Sequence, residues 1–258
     1  MITSADNKRI KNVIQLLEKS KARKEQDAFV IEGIKLFEEA PEELISEVFI
    51  AESYDGPRAK LDRIPFEVVK DEVFHKMTDT LTPQGILCVV KKSHYSLEDL
   101  LKPRERYRVY LVLEKLQDPG NLGTIMRTAE GAGVSGVIMS ADTVDIYNPK
   151  TVRSTMGSVF RVPFVYTEDL DGAIGALKSA GVHCYAAHLK GTKSSYQYSY
   201  TEPTAFFIGN EGNGLTEHTA GLADTYIRIP MEGKLESLNA GISAALLMYE
   251  AKRQRESE

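Results

Sequence analysis

The sequence predicts an α/β protein in two domains: a smaller one over residues 1–95, a connector over 96–106, and a larger domain with a parallel sheet over 107–258. Three observations predict it. From Arg108 onward near-continuous apolar runs alternate with helical segments, which is how strands covered on both faces read. Before Lys92 the elements are shorter, and the polar stretch SLEDLLKPRERY with its proline separates the two patterns. A chain of 258 residues is long enough for one large core or two modest ones.

In chain order, Ile10, Val13, Ile14 and Leu17 recur at helical spacing, so the first segment is an amphipathic helix. AFVIEG, a helical IKLFEEA, SEVFIAE, PFEVVK and GILCVVKK complete the small domain. The second domain offers six strands: VYLVLEKL, VSGVIMS, PFVY, VHCYAAHL, AFFIGNE and YIRIPM.

The net charge of −5 speaks mildly against a protein that coats nucleic acid, yet residues 1–24 hold seven Lys or Arg against two acids. Lys8, Arg9, Lys11 and Arg23 are therefore candidates for a polyanion contact, with a solvated basic face as the other reading. No apolar run approaches the roughly 20 residues of a bilayer-spanning helix, and the opening residues lack an apolar segment behind the basic ones, so a cytoplasmic protein is expected. Cys88 and Cys184 are far apart and no histidine stands at ligand spacing from them. No metal is expected, and the cysteines read as buried small hydrophobes.

Three segments of the second domain carry chemistry. In LQDPGNLGTIMRTAEGAG, Asp118-Pro119-Gly120 makes a turn and Asn121 is a favourable N-cap. Leu122, Ile125, Met126 and Ala129 form one stripe of the helix, and Arg127 lies opposite, where a guanidinium can fork onto a phosphate. In FFIGNEGNGL a strand ends in Gly209, Gly212 and Gly214, which lets main-chain groups approach a ligand, and Glu211 stands among them where open α/β sheets bind ligands. No Walker lysine follows and no G-x-G-x-x-G opens a helix, so neither a nucleoside triphosphate nor a dinucleotide is indicated. In YIRIPMEGKLESLNAGISAALLMYEAKR a strand ends at Pro230, Ser237 opens a helix with Asn239 on its first turn, and Leu238, Ile242, Ala245, Leu246 and Tyr249 keep helical spacing.

N-L-G-T-I-M-R-T-A, I-G-N-E-G-N-G-L, and I-P-M followed by S-L-N, in this order, resemble the three motifs of the SpoU (TrmH) family of RNA ribose 2′-O-methyltransferases, part of the SPOUT class. The intervening DIYNPKTVRSTMGSVF also matches, and N-K-R-I-K, K-A-R, F-V-I-E-G and T-P-Q-G-I-L resemble the family's N-terminal substrate-binding domain, which is similar to a ribosomal-protein RNA-binding fold. The resemblance implies a C-terminal trefoil knot that binds S-adenosyl-L-methionine and forms a homodimer. It implies a cofactor site in Gly209, Ile229 and Leu238, with Leu189, Gly191, Asn210, Gly212, Pro230 and Met231. It implies Asn121, Arg127, Glu211, Ser237 and Asn239 as the polar residues of the site, and RNA as substrate, ribosomal rather than transfer RNA. Ala240 and Gly241 depart from the family's usual residues after S-L-N. A non-catalytic RNA-binding or ribosome-assembly protein on the same fold is the alternative function.

Overall fold

The computed structural model describes residues 1–102, 108–235 and 237–256. Helix α1 (Lys8–Glu18) is capped by Asn7, whose side chain accepts from the Arg9 amide, and it buries Ile10, Val13 and Leu16. There follow α2 (Ser20–Glu25), β1 (Ala28–Glu32), α3 (Ile34–Glu39), β2 (Ile45–Ala51), β3 (Glu67–Val69), α4 (Asp71–Lys76) and β4 (Ile86–Lys91). Next come α5 (Leu97–Leu101), β5 (Val109–Leu113), α6 (Pro119–Ala132), β6 (Gly136–Ser140), α7 (Pro149–Thr155), β7 (Phe164–Thr167) and α8 (Leu170–Ser179). The chain ends with β8 (His183–Ala187), β9 (Thr204–Ile208), α9 (Glu217–Gly221), β10 (Thr225–Ile227) and α10 (Ala240–Arg255).

Contacts divide the chain into two units: Met1–Ser93 with Asp145–Phe160, and His94–Val144 with Arg161–Glu258. This differs from the two continuous domains expected. Within the expected connector 96–106, α5 is a packed helix whose Leu100 is buried in the second unit's core, and Ser96 and Asp99 close it with a reciprocal capping box. Residues 103–106 lie outside the described ones.

The first unit has a mixed sheet in the order β1-β4-β2-β3, with β4 antiparallel to β1 and β2 and with β2 parallel to β3. The second has a six-stranded sheet, β10-β8-β9-β5-β6-β7, parallel at every pairing. Every residue of β5, β6 and β9 is buried, as strands covered on both faces must be. Cys88 and Cys184 are buried free thiols, and burial pushes the Cys184 thiol up to about 12. Among the described residues no helix is long and apolar enough to cross a membrane.

Candidate active site

Because β10, β8, β9 and β5 run parallel as neighbours, the loops that follow them leave the sheet along one edge. That edge is where open α/β sheets hold ligands. The loop after β9 closes on itself: Asn210 and Gly214 exchange both backbone hydrogen bonds, and the Asn210 Oδ1 accepts from the amides of Gly212 (2.9 Å) and Asn213 (3.2 Å). A Cβ on Gly209 would stand 2.1 Å from the Gly214 carbonyl carbon, so only glycine fits there. Gly191 is equally confined, since a Cβ would lie 2.7 Å from the Ile227 carbonyl carbon. Ser194 bridges to Arg228 beside it, so the loops after β8 and β10 run together.

Three polar residues, one from each motif, form a continuous relay. Asn239 caps α10, its Oδ1 accepting from the Ile242 amide, which leaves its Nδ2 to donate to the Asn121 Oδ1 at 2.8 Å. Asn121 then donates its own Nδ2 to the Glu211 Oε1 at 3.0 Å. A backbone N–H at one end and an acceptor-only carboxylate at the other fix both amide orientations. Glu211 also accepts from the amides of Gln117 (3.0 Å) and Asp118 (2.9 Å), at the positive amino end of α6. Its partial burial favours the neutral acid, but hydrogen bonds from Asn121, Asp118 and Gln117 outweigh that and hold the carboxyl below the ordinary glutamate range. The N-cap of α6 is Asp118 rather than Asn121: its Oδ1 accepts from the Asn121 amide at 2.8 Å, with Pro119 in the first turn. Likewise Asn239, not Ser237, caps α10.

Residues 108–249 match the SpoU rRNA methylase family, and residues 7–88 match the MRM3-like substrate binding domain. The chain belongs to the SpoU rRNA methylase family. S-adenosylmethionine is the methyl donor that this membership brings. A SpoU relative from Bacillus subtilis, a 23S rRNA (guanosine(2553)-2′-O)-methyltransferase, is 34% identical over 96% of this chain and 97% of its own. The SpoU methyltransferase AviRb of Streptomyces viridochromogenes, solved with S-adenosylmethionine, superposes with a TM-score of 0.87 at 27% identity over 97% of this chain and 99% of that one. An S-adenosylmethionine-bound rRNA methyltransferase of Sinorhizobium meliloti gives a TM-score of 0.85 at 31% identity, covering 98% and 97% of the two chains.

Outside the relay of this SpoU chain, Arg127 is exposed on α6 and Ser237 is exposed before α10; neither hydrogen-bonds to the relay residues. Leu189 is 65% exposed on the loop after β8, Pro230 is exposed, and Ile229, Met231 and Leu238 are half-buried. Apolar side chains left open on loops along one sheet edge, beside backbone confined by Gly191 and Gly209, suit the adenosyl part of the donor. Sequence reasoning missed Gln117 and Asp118, although D-P-G ahead of an apolar stripe is a legible helix start.

The candidates for RNA contact in the first unit need correction. Arg23 is 3% exposed: it pairs with Asp145 at 2.8 Å and donates to the carbonyls of Leu16 and Leu17. It is a structural arginine, closed to RNA. Arg9 donates from Nε to Glu47 (2.6 Å) and from Nη1 to Glu67 (2.9 Å) above the Phe49 ring, so two of its donors are engaged within the unit while its side chain stays 41% exposed. Lys11 makes an exposed pair with Asp6 at 2.7 Å, and Lys8 is exposed. Such exposed pairs are weak, which leaves Lys8 and Lys11 available to phosphate.

Proposed function

We propose that this chain transfers a methyl group from S-adenosylmethionine to a ribose 2′-hydroxyl of large-subunit ribosomal RNA, in the cytoplasm and as a homodimer. The observation that carries the reading is the Asn239–Asn121–Glu211 relay, which joins all three motifs of a methylase family in one hydrogen-bonded chain. The bound donor supplies an electrophilic methyl group. Leu189, Gly191, Gly209, Asn210, Gly212, Ile229, Pro230, Met231 and Leu238 hold it, largely through backbone. The relay keeps the start of α6, the glycine-rich loop and the start of α10 in one geometry, which is what an in-line displacement demands of its surroundings.

Arg127 carries the guanidinium that faces the target nucleotide. Guanidinium groups do not give up their proton in proteins, so its role is to fork onto the adjacent phosphate and stabilise charge developing on the 2′-oxygen, while water or a neighbouring group takes the proton. Ser237 orders the target ribose. Lys8 and Lys11 grip the RNA backbone, and reversing both charges reduces the salt dependence of RNA binding. Large-subunit RNA is the substrate by analogy with the Bacillus subtilis relative. The homodimer is supported by Ile242, Leu246 and Tyr249, an exposed apolar stripe on α10.

The test is incubation with S-adenosylmethionine labelled in its methyl group and unmodified 23S rRNA, followed by mapping of 2′-O-methyl positions. One modified nucleotide is expected, lost in Asn121→Ala. An RNA that is bound but never methylated returns the protein to the non-catalytic alternative.

A further inference from the structure

The glycine-rich loop is fastened at both ends to one stretch of chain, residues 114–121. Its near end is held by the Asn210 Nδ2 donating to the Lys115 carbonyl (2.8 Å) and by Glu211. Its far end is held by Glu114, a carboxylate just beyond β5 that is 5% exposed. The Glu114 Oε2 accepts from the Thr216 amide (2.8 Å), and its Oε1 accepts from the hydroxyls of Thr216 (2.8 Å) and Thr219 (2.7 Å). All three donors belong to the amino end of α9, which Thr216 caps. A buried carboxylate costs stability unless its acceptors are filled, and here one short helix fills them. Helix α9 in turn carries Glu217, which receives Lys190 (2.6 and 2.7 Å) from the loop after β8. The helix therefore touches both loops assigned to the donor.

We propose that Glu114 is a positioning residue for the methyl-donor site: by seating α9 it fixes the far half of the glycine-rich loop, while the exposed Glu217–Lys190 pair adds only a weak tie to the loop after β8. The proposal rests on the methyltransferase function proposed above. Since the near end keeps its own bonds to Asn121 and Lys115, a Glu114 variant loosens donor binding more than it slows the chemical step. When only a fraction of molecules hold the competent loop, apparent affinity falls by that fraction.

The experiment measures S-adenosylmethionine affinity by calorimetry, and turnover at saturating donor, for wild type, Glu114→Ala, Glu114→Gln and Thr219→Val. Glu114→Ala is expected to weaken donor binding about 10-fold or more, with turnover at saturating donor within about 3-fold. Glu114→Gln restores most of the affinity, because its amide oxygen accepts from the Thr216 amide while its N–H groups meet the two hydroxyls. Thr219→Val, which removes one donor and leaves the backbone cap, gives an intermediate loss. A merely structural role predicts a lower melting temperature with unchanged affinity in the folded fraction, and that result, or a loss confined to turnover, overturns the proposal. If Glu114→Ala does not fold, Glu114→Gln and Thr219→Val decide: wild-type affinity in both overturns it. A wild type that binds donor and methylates RNA beside unaffected variants overturns this proposal alone; a wild type that does neither overturns the functional reading with it.

Discussion

Asn121 has four hydrogen-bonding sites on its amide and no freedom to exchange them, because Glu211 can only accept and Asn239 is oriented by a backbone N–H. Glu211→Gln would turn an amide toward one of the donors that now meet a carboxylate. Since Glu211 is held below its ordinary value of 4.5, the stability it contributes is present above that value and is lost as pH falls through its lower folded value. Acid titration of unfolding should therefore show wild type losing more stability below about pH 4.5 than Glu211→Gln does. At Arg127 the expected change is kinetic: Arg127→Lys keeps the charge but loses the fork, so turnover drops about 100-fold while donor affinity by calorimetry is unchanged. Equal turnover would remove the paired contact from the mechanism. The identities of these residues were legible in the sequence from motif order, whereas their partners were not. Hydrogen bonds from Gln117 and Asp118 to a carboxylate more than ninety positions away depend on the sheet order that sets β5 beside β9.

The strands were the legible elements, because burial on both faces writes an unbroken apolar run. All six runs of the second domain are strands, and so are the four of the first. Helices α2 and α4 were not, since SKARKE and DEVFHK hold too few apolar residues for a stripe to show, whereas the equally short α3 is legible from IKLFEEA. Helix α10 shows the opposite failure. Its apolar positions at helical spacing include Ile242, Leu246 and Tyr249, which are 51%, 37% and 49% exposed, while Ala240, Gly241, Ala244, Leu247, Met248 and Ala251 are buried. Periodicity finds apolar faces without saying which one meets the core. The small residues lie against α6, where a Cβ on Gly241 would lie 3.4 Å from the Thr124 methyl carbon, an ordinary contact. The proposed homodimer would use the larger face, so Ile242→Glu with Leu246→Glu should yield a monomer by sedimentation equilibrium without loss of the folded far-ultraviolet spectrum. Helix α3 carries a separate dependence. The buried Lys60 ammonium donates to the carbonyls of Phe37 (2.5 Å), Glu38 (3.2 Å) and Ala40 at its carboxyl end. Lys60→Ala leaves them unpaired, and chemical denaturation should show a loss of about 1–3 kcal/mol.

At the scale of the molecule, the first unit is not a continuous stretch of chain: it is completed by Asp145–Phe160, which lies in sequence between β6 and β7 of the other unit's sheet. Asp145 meets Arg23 and the Ser20 hydroxyl, Tyr147 packs on Phe29 with ring centroids 4.5 Å apart, and Phe160 lies 6.1 Å from the same ring. Arg153 on α7 pairs with Asp79 at 2.7 Å. A sequence reading that divides the chain at one connector cannot find this arrangement, because nothing in the local pattern of residues 145–160 says which core they enter. The arrangement makes a prediction that a self-contained first domain would not. Residues 1–93 alone should fail to fold, since the fragment leaves Phe29 uncovered and Arg23 buried with no carboxylate. In the full chain Asp145→Ala should cost about 3–5 kcal/mol, the cost of stranding a buried charge. The loss should depend on salt less than that of an exposed pair, because Arg23 is buried and Asp145 is only 24% exposed. A fragment 1–93 that unfolds cooperatively with the stability of the first unit in the whole protein would show that the inserted segment is dispensable.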